Sequence, residues 1–78
     1  MNTQFDVELD CRGLSCPMPV LKTKKALDEM QEGQVLKMVS TDAGSKSDVN
    51  ALIKRTGHEL ITVAEKNSEF TFMIKKLN

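Results

Sequence analysis

The chain has 78 residues, 40% hydrophobic and 28% charged, and its eleven basic residues balance its eleven acidic ones. We predict a single soluble domain over residues 1–78, too small for a deep substrate cavity and without the roughly 20 consecutive apolar residues that cross a bilayer. Neutral charge, with three Phe and no Trp or Tyr, argues against direct nucleic-acid binding, which usually requires a basic surplus.

The first two predicted elements are a strand and a helix. Phe5, Val7 and Leu9 alternate with acidic residues, which is typical of a strand with one buried face. A loop follows, and residues 17–31 then carry the longest helical pattern in the chain. Four apolar residues share one side of this helix, and we expect them to face the sheet: Val20, Leu21, Leu27 and Met30.

A second strand and a second helix come next. Gly33 is expected to end the first helix in a left-handed conformation, and residues 34–41 form a β-rich run. The strand–helix–strand order predicts that the two strands are parallel. After a turn at Asp42-Ala43-Gly44, Ser45 and Asp48 resemble a capping box. The apolar side of the second helix consists of Val49, Leu52 and Ile53, and Gly57 closes it.

Two further β-rich runs complete the pattern. They cover His58 to Glu65 and Phe70 to Leu77, and residues 66–69 between them predict a hairpin. The element order is therefore β-α-β-α-β-β. This order predicts an α+β, two-layer sandwich: a four-stranded mixed sheet with two helices on one face.

The stretch SCPMP places a cysteine against two prolines at the start of the first helix. With Pro17 as the first helical residue, Cys16 is the N-cap, and the residue before a proline readily adopts the extended cap conformation. Pro19 has no N–H, so Met18 N–H remains to point toward the sulfur. The helix dipole also favours a thiolate here, and such cysteines have pKa values of about 3.5–7.5. Burial of Cys16 as a small hydrophobe is the structural alternative.

Both cysteines are predicted to be free thiols. The N-terminus MNTQFDVELD lacks the basic and apolar regions of a signal peptide, so we expect a cytoplasmic protein. Thiols are kept reduced in that compartment. Cys11 and Cys16 are thus expected to be reduced rather than bridged.

The residues around Cys16 resemble the TusA/SirA family of small sulfur carriers. The resemblance covers nearly the whole chain and includes the family's Cys-Pro-x-Pro signature, here CPMP. Its further parts are Arg12-Gly13-Leu14, the helix VLKTKKAL, Gly33, the Asp42 turn and Arg55-Thr56-Gly57-His58. The family fold is the two-layer sandwich expected from the element order.

This resemblance implies a sulfur relay. Cys16 would accept sulfane sulfur from a cysteine desulfurase or rhodanese, carry it as a persulfide and pass it to an acceptor protein. Family members serve tRNA thiolation, molybdenum-enzyme maturation or sulfur oxidation. The resemblance implies no metal and no organic cofactor. From the charge balance and the lack of a long apolar run we expect no membrane and no direct nucleic-acid contact, and we expect the protein to act as a monomer.

Several other residues are candidates for a role in the function. Cys11 either resolves a persulfide on Cys16 or is a partly buried thiol at a strand end. Lys22 and Lys25, with Lys24, either steer an acidic partner or form a solvated face, and Arg12 lies beside the loop. Met18 is a candidate apolar contact for a partner.

Two other functions remain open at this point: a dithiol redox module using Cys11 and Cys16, and a regulatory or RNA-binding domain with incidental cysteines. A zinc site with His58 is disfavoured, because structural zinc needs four ligands with paired spacings.

Overall fold

The computed structural model describes residues 5–15 and 17–77. The elements follow the predicted β-α-β-α-β-β order: β1 (Val7–Cys11), α1 (Met18–Glu29), β2 (Val35–Ser40), α2 (Ser45–Thr56), β3 (Glu59–Lys66) and β4 (Glu69–Lys75). Neither of these helices has the length and apolarity to cross a membrane.

The four strands form one mixed sheet in the order β1-β2-β4-β3. β1 and β2 are parallel, and the other neighbouring pairs are antiparallel. Both helices cover the same face of the sheet, and their apolar sides join alternate strand residues in one core. The fully buried large side chains of this core include Leu27, Leu36, Met38, Val49, Phe72 and Ile74. The predicted fold class is confirmed.

Two predicted turns are also confirmed. Asn67 and Ser68 connect β3 to β4 with φ values of 52° and 65°, as in the tight hairpin turn that matches the twist of the strands. Gly57 ends α2 with φ 80°, a left-handed conformation that costs glycine little because it has no Cβ.

The buried side of α1 differs from the prediction. Leu27 and Met30 are buried, but Leu21 is 53% exposed, so its predicted contact with the sheet is wrong. The buried residues of the first two turns are Pro19 and Thr23. Successive helical residues are about 100° apart, so Leu21 lies nearly opposite Pro19. Thr23 is tolerated in the core because its hydroxyl donates to the Pro19 carbonyl at 2.7 Å.

Two predicted helix ends are wrong. α1 ends at Glu29, and Gly33 lies beyond it in a separate turn with φ 92°. Ser45 is the first residue of α2 rather than its cap, which is Gly44. The Ser45 hydroxyl instead donates to the Asp42 carbonyl at 2.6 Å.

Lys76 fixes the C-terminal end of α1 to the sheet. Its ammonium donates to the Leu27 carbonyl and, at 2.8 Å, to the Met30 carbonyl. Its backbone N–H donates to the Gln34 carbonyl at 2.9 Å, and its carbonyl accepts Gly33 N–H at 2.7 Å. The last turn of α1 contains no basic residue, so Lys76 supplies the positive charge that the carbonyl end of a helix favours.

Candidate functional site

The candidate site lies where the chain passes from β1 to α1. β1 ends at Cys11, residues 12–15 form the loop, and α1 begins at Met18. Cys16, the predicted reactive residue, lies outside the described residues. The helix begins within one residue of the predicted position, but Pro17 rather than Cys16 occupies the N-cap position.

A turn at Gly13 sets the path of this loop. Leu14 N–H donates to the Cys11 carbonyl at 3.2 Å, and Gly13 has φ 82° at the third position of the turn. This is the type II pattern, which favours glycine there. Gly13 N–H donates across to the Thr41 hydroxyl at 2.9 Å, so the loop is tied to the segment after β2.

Arg12 is held on the uncovered face of the sheet. Its guanidinium donates to both Asp10 carboxylate oxygens at 3.0 Å and lies 3.7 Å from a Glu69 carboxylate oxygen. The hydrogen bonds from Arg12 hold the pKa of Asp10 at about 2, below its ordinary value of 3.8. Arg12 therefore supports the end of β1.

This ion pair predicts a loss of stability in acid. A depressed carboxyl pKa stabilises the fold fully above the ordinary value of 3.8, and that contribution disappears as the pH falls through about 2. NMR titration of the Asp10 carboxyl carbon should give a midpoint near 2 in the native protein. In Arg12→Gln the midpoint should return toward the ordinary value, and an unchanged midpoint would show that Arg12 is not the cause.

The prolines and Met18 shape the first turn of α1. Pro19 is buried, whereas Pro17 is exposed and Met18 is 42% exposed. We expected Met18 N–H to point toward the Cys16 sulfur, but it donates to the Ser15 carbonyl at 2.9 Å. That expectation is wrong, because a backbone hydrogen bond within residues 15–18 already uses this N–H. The exposed Met18 side chain does suit the predicted contact with a partner.

Cys11 is fully buried in the core at the end of β1. Burial raises the pKa of its thiol, and the nearby charge of Lys22 opposes that change only in part. A buried thiol with a raised pKa is a poor nucleophile. These properties favour the structural interpretation of Cys11 over the resolving thiol.

The lysines of α1 lie on its solvent side. Lys22 and Lys25 are exposed, and Lys24 donates to Asp28 at 3.1 Å. Met18 and Leu21 precede Lys22 and Lys25 by four residues each, so the four side chains are neighbours on one surface. We call Met18, Leu21, Lys22 and Lys25 the exposed face of α1.

His58 lies far from the loop of residues 12–15. His58 accepts a hydrogen bond from Leu77 N–H at its Nδ1, at 3.1 Å, beside the start of β3. Strand order and register place it diagonally across the sheet from Cys11, roughly 25 Å away. Residues 5–15 and 17–77 contain no cluster of His, Cys, Asp and Glu that could hold a metal ion.

Comparison with known proteins identifies the family. The family model described as sulfurtransferase TusA matches residues 7–76. The chain belongs to the TusA family. The sulfur carrier protein TusA of Allochromatium vinosum is 50% identical over 92% of this chain and 95% of its own. YrkI of Bacillus subtilis, a proposed sulfur carrier, is 42% identical over 91% of this chain and 95% of its own.

A solved structure supports the TusA family fold. The crystal structure of a SirA-like protein from Desulfitobacterium hafniense matches with a TM-score of 0.83 at 25% identity. The match covers 94% of this chain and the whole of the other. The resemblance to the TusA/SirA family expected from the sequence is therefore confirmed.

Two features of this TusA family member were missed by reasoning from sequence. Thr41 bonds to Gly13 across 28 residues, and no local pattern marks such a contact. Leu21 belongs to the exposed face of α1 instead of the core. The spacing in the sequence could have predicted the exposure of Leu21. Pro19, Thr23 and Leu27 are four residues apart and define the buried side of α1, and Leu21 does not lie on that side.

Proposed function

We propose that the protein is a sulfur carrier that holds sulfur as a persulfide on Cys16. The Cys16 thiolate attacks a sulfane sulfur of the donor, a new S–S bond forms, and the donor's own S–S bond breaks. The donor leaves as a thiolate, and the sulfur remains as the terminal atom of the Cys16 persulfide. An acceptor thiolate then attacks that terminal sulfur and releases the Cys16 thiolate.

The place of the Cys-Pro-x-Pro motif in a TusA-family fold carries this proposal. The motif leads into α1, and its described residues include the exposed Pro17 and Met18. The A. vinosum relative, which matches over nearly its whole length, is named a sulfur carrier. A helix N-terminus stabilises a thiolate, and an ionised thiol is required both for loading and for transfer.

A dithiol redox module is the competing function, and the state of Cys11 weighs against it. Its thiol is fully buried, and burial raises its pKa. A resolving thiol must ionise and reach the persulfide, and Cys11 is poorly suited to either step. We therefore assign the carrier role to Cys16 alone and a packing role to Cys11.

The partners are a sulfur-donor protein and a sulfur-acceptor protein. We assign the exposed face of α1 to their recognition, because it follows the motif directly and combines apolar Met18 and Leu21 with two lysines. Such a surface fits a partner with an apolar contact and acidic residues around it. We place the relay in the cytoplasm, where Cys16 would stay reduced between cycles.

Mass spectrometry after incubation with inorganic polysulfide tests the proposal. The intact protein should gain the mass of one sulfur atom, and a reductant should remove it. A prompt loss of two hydrogen atoms without gain of sulfur would indicate a disulfide and support the redox module. A protein that gains no sulfur and loses no hydrogen would be neither a sulfur carrier nor a dithiol redox module.

A further inference from the structure

Thr41 follows β2, and its side chain reaches the loop that leads to Cys16. Its hydroxyl oxygen accepts Gly13 N–H at 2.9 Å. The bond that closes the Gly13 turn runs from Leu14 N–H to the Cys11 carbonyl, so it leaves Gly13 N–H available for an outside acceptor. The orientation of the peptide group between Arg12 and Gly13 is thus fixed by a residue on another segment.

The segment that carries Thr41 is itself anchored on buried hydroxyls. Asp42 N–H donates to the Ser40 hydroxyl at 3.1 Å, and the Ser45 hydroxyl donates to the Asp42 carbonyl at 2.6 Å. Ser40 and Ser45 are both buried. Threonine is branched at Cβ, which restricts its own side chain. The position of the Thr41 hydroxyl is therefore well defined, and its hydrogen bond restrains the loop at Gly13.

We propose that Thr41 is a positioning residue for sulfur transfer, acting through Gly13. Its hydroxyl holds residues 12–15 in one arrangement and so fixes the direction in which the chain leaves Ser15. The inference rests on the proposed function, because it assumes that Cys16 carries the sulfur. Loss of the hydrogen bond lets the turn adopt other arrangements, and the reactive one becomes less populated.

The test compares three variants in the full chain. Thr41→Val removes the hydroxyl at nearly constant shape, Thr41→Ser restores it, and Thr62→Val is the control at an exposed threonine of β3. Persulfide formation with inorganic polysulfide at neutral pH should be about threefold to tenfold slower in Thr41→Val, as expected for one lost hydrogen bond. Thr41→Ser and Thr62→Val should keep the native rate.

A second readout is specific to positioning. The pH midpoint for alkylation of Cys16 by iodoacetamide should move in Thr41→Val toward the value of about 8.5 of a free thiol. A change in fold stability alone would not move that midpoint in protein that remains folded. Thr41→Ser should keep the native midpoint.

Hydrogen exchange tests the bond without any variant. The Gly13 amide of the native protein should exchange more slowly than an unbonded amide, and exchange at the unbonded rate would overturn the inference. A native rate of persulfide formation together with a native alkylation midpoint in Thr41→Val would also overturn the inference. Equal reductions of that rate in Thr41→Val and Thr41→Ser would overturn it as well. If the native protein fails to load sulfur, the proposed function fails, while the alkylation midpoint and Gly13 exchange still decide the role of Thr41.

Discussion

Replacement of Cys16 by serine is expected to reduce sulfur loading to the background level. A serine hydroxyl stays protonated at neutral pH, so it cannot replace the thiolate that attacks the donor. Loading is measured by intact mass after incubation with inorganic polysulfide. The variant should keep its fold, because the sulfur and the hydroxyl differ little in size.

Cys11→Ala is the matched control for this result. Alanine is preferable to serine here, because an unpaired hydroxyl in the core costs about 1–3 kcal/mol. Cys11→Ala should lower the free energy of unfolding by roughly 0.5–3 kcal/mol and still load one sulfur atom. Loading that survives Cys16→Ser and disappears in Cys11→Ala would show that the other sulfur is the carrier. Loss in both folded variants would favour the dithiol module.

Lys76→Met is expected to lower the free energy of unfolding by about 1–3 kcal/mol. The substitution keeps most of the apolar stem and removes the ammonium that donates to the Leu27 and Met30 carbonyls. For a domain of this size the corresponding fall in melting temperature is roughly 4–20 °C. Thermal and urea denaturation followed by circular dichroism would measure both quantities.

Lys75→Met is the control for the loss of charge. Lys75 is the last residue of β4, and its backbone pairs with Val35 and Glu59. Its replacement should change the free energy of unfolding by no more than about 0.5 kcal/mol. Equal stability of the Lys75 and Lys76 variants would mean that the contact with the end of α1 contributes nothing.

Much of the fold could be predicted because its signals are local. Alternation in β1, the glycine at position 57 and the short turn between β3 and β4 each act within a few residues. The core side of α1 was harder to assign, because counting apolar residues placed Leu21 in the core and did not include Thr23, which is buried. The hydrogen bond from Thr23 to the Pro19 carbonyl removes the cost of burying its hydroxyl, and hydrophobic periodicity does not include that effect.

The site was predictable as a motif but not as a set of contacts. The cysteine and the two prolines lie within four residues of each other, so an expectation for their chemistry could be derived from helix geometry. The predicted cap residue and the predicted role of Met18 N–H were nevertheless wrong. Thr41 and Lys76 act on residues 28 or more positions away, and such contacts exist only once the sheet has formed. The burial of Cys11 likewise follows from the packing of both helices against the sheet.

Peptide mapping of the loaded protein tests the central claim most directly. Trypsin cleaves after Arg12 and Lys22, so Cys11 falls in the peptide of residues 1–12 and Cys16 in the peptide of residues 13–22. After loading with polysulfide and blocking with iodoacetamide, the peptide 13–22 should carry one additional sulfur atom, and the peptide 1–12 should carry none. Additional sulfur on the peptide 1–12 alone, or a disulfide joining the two peptides, would contradict a persulfide carried on Cys16.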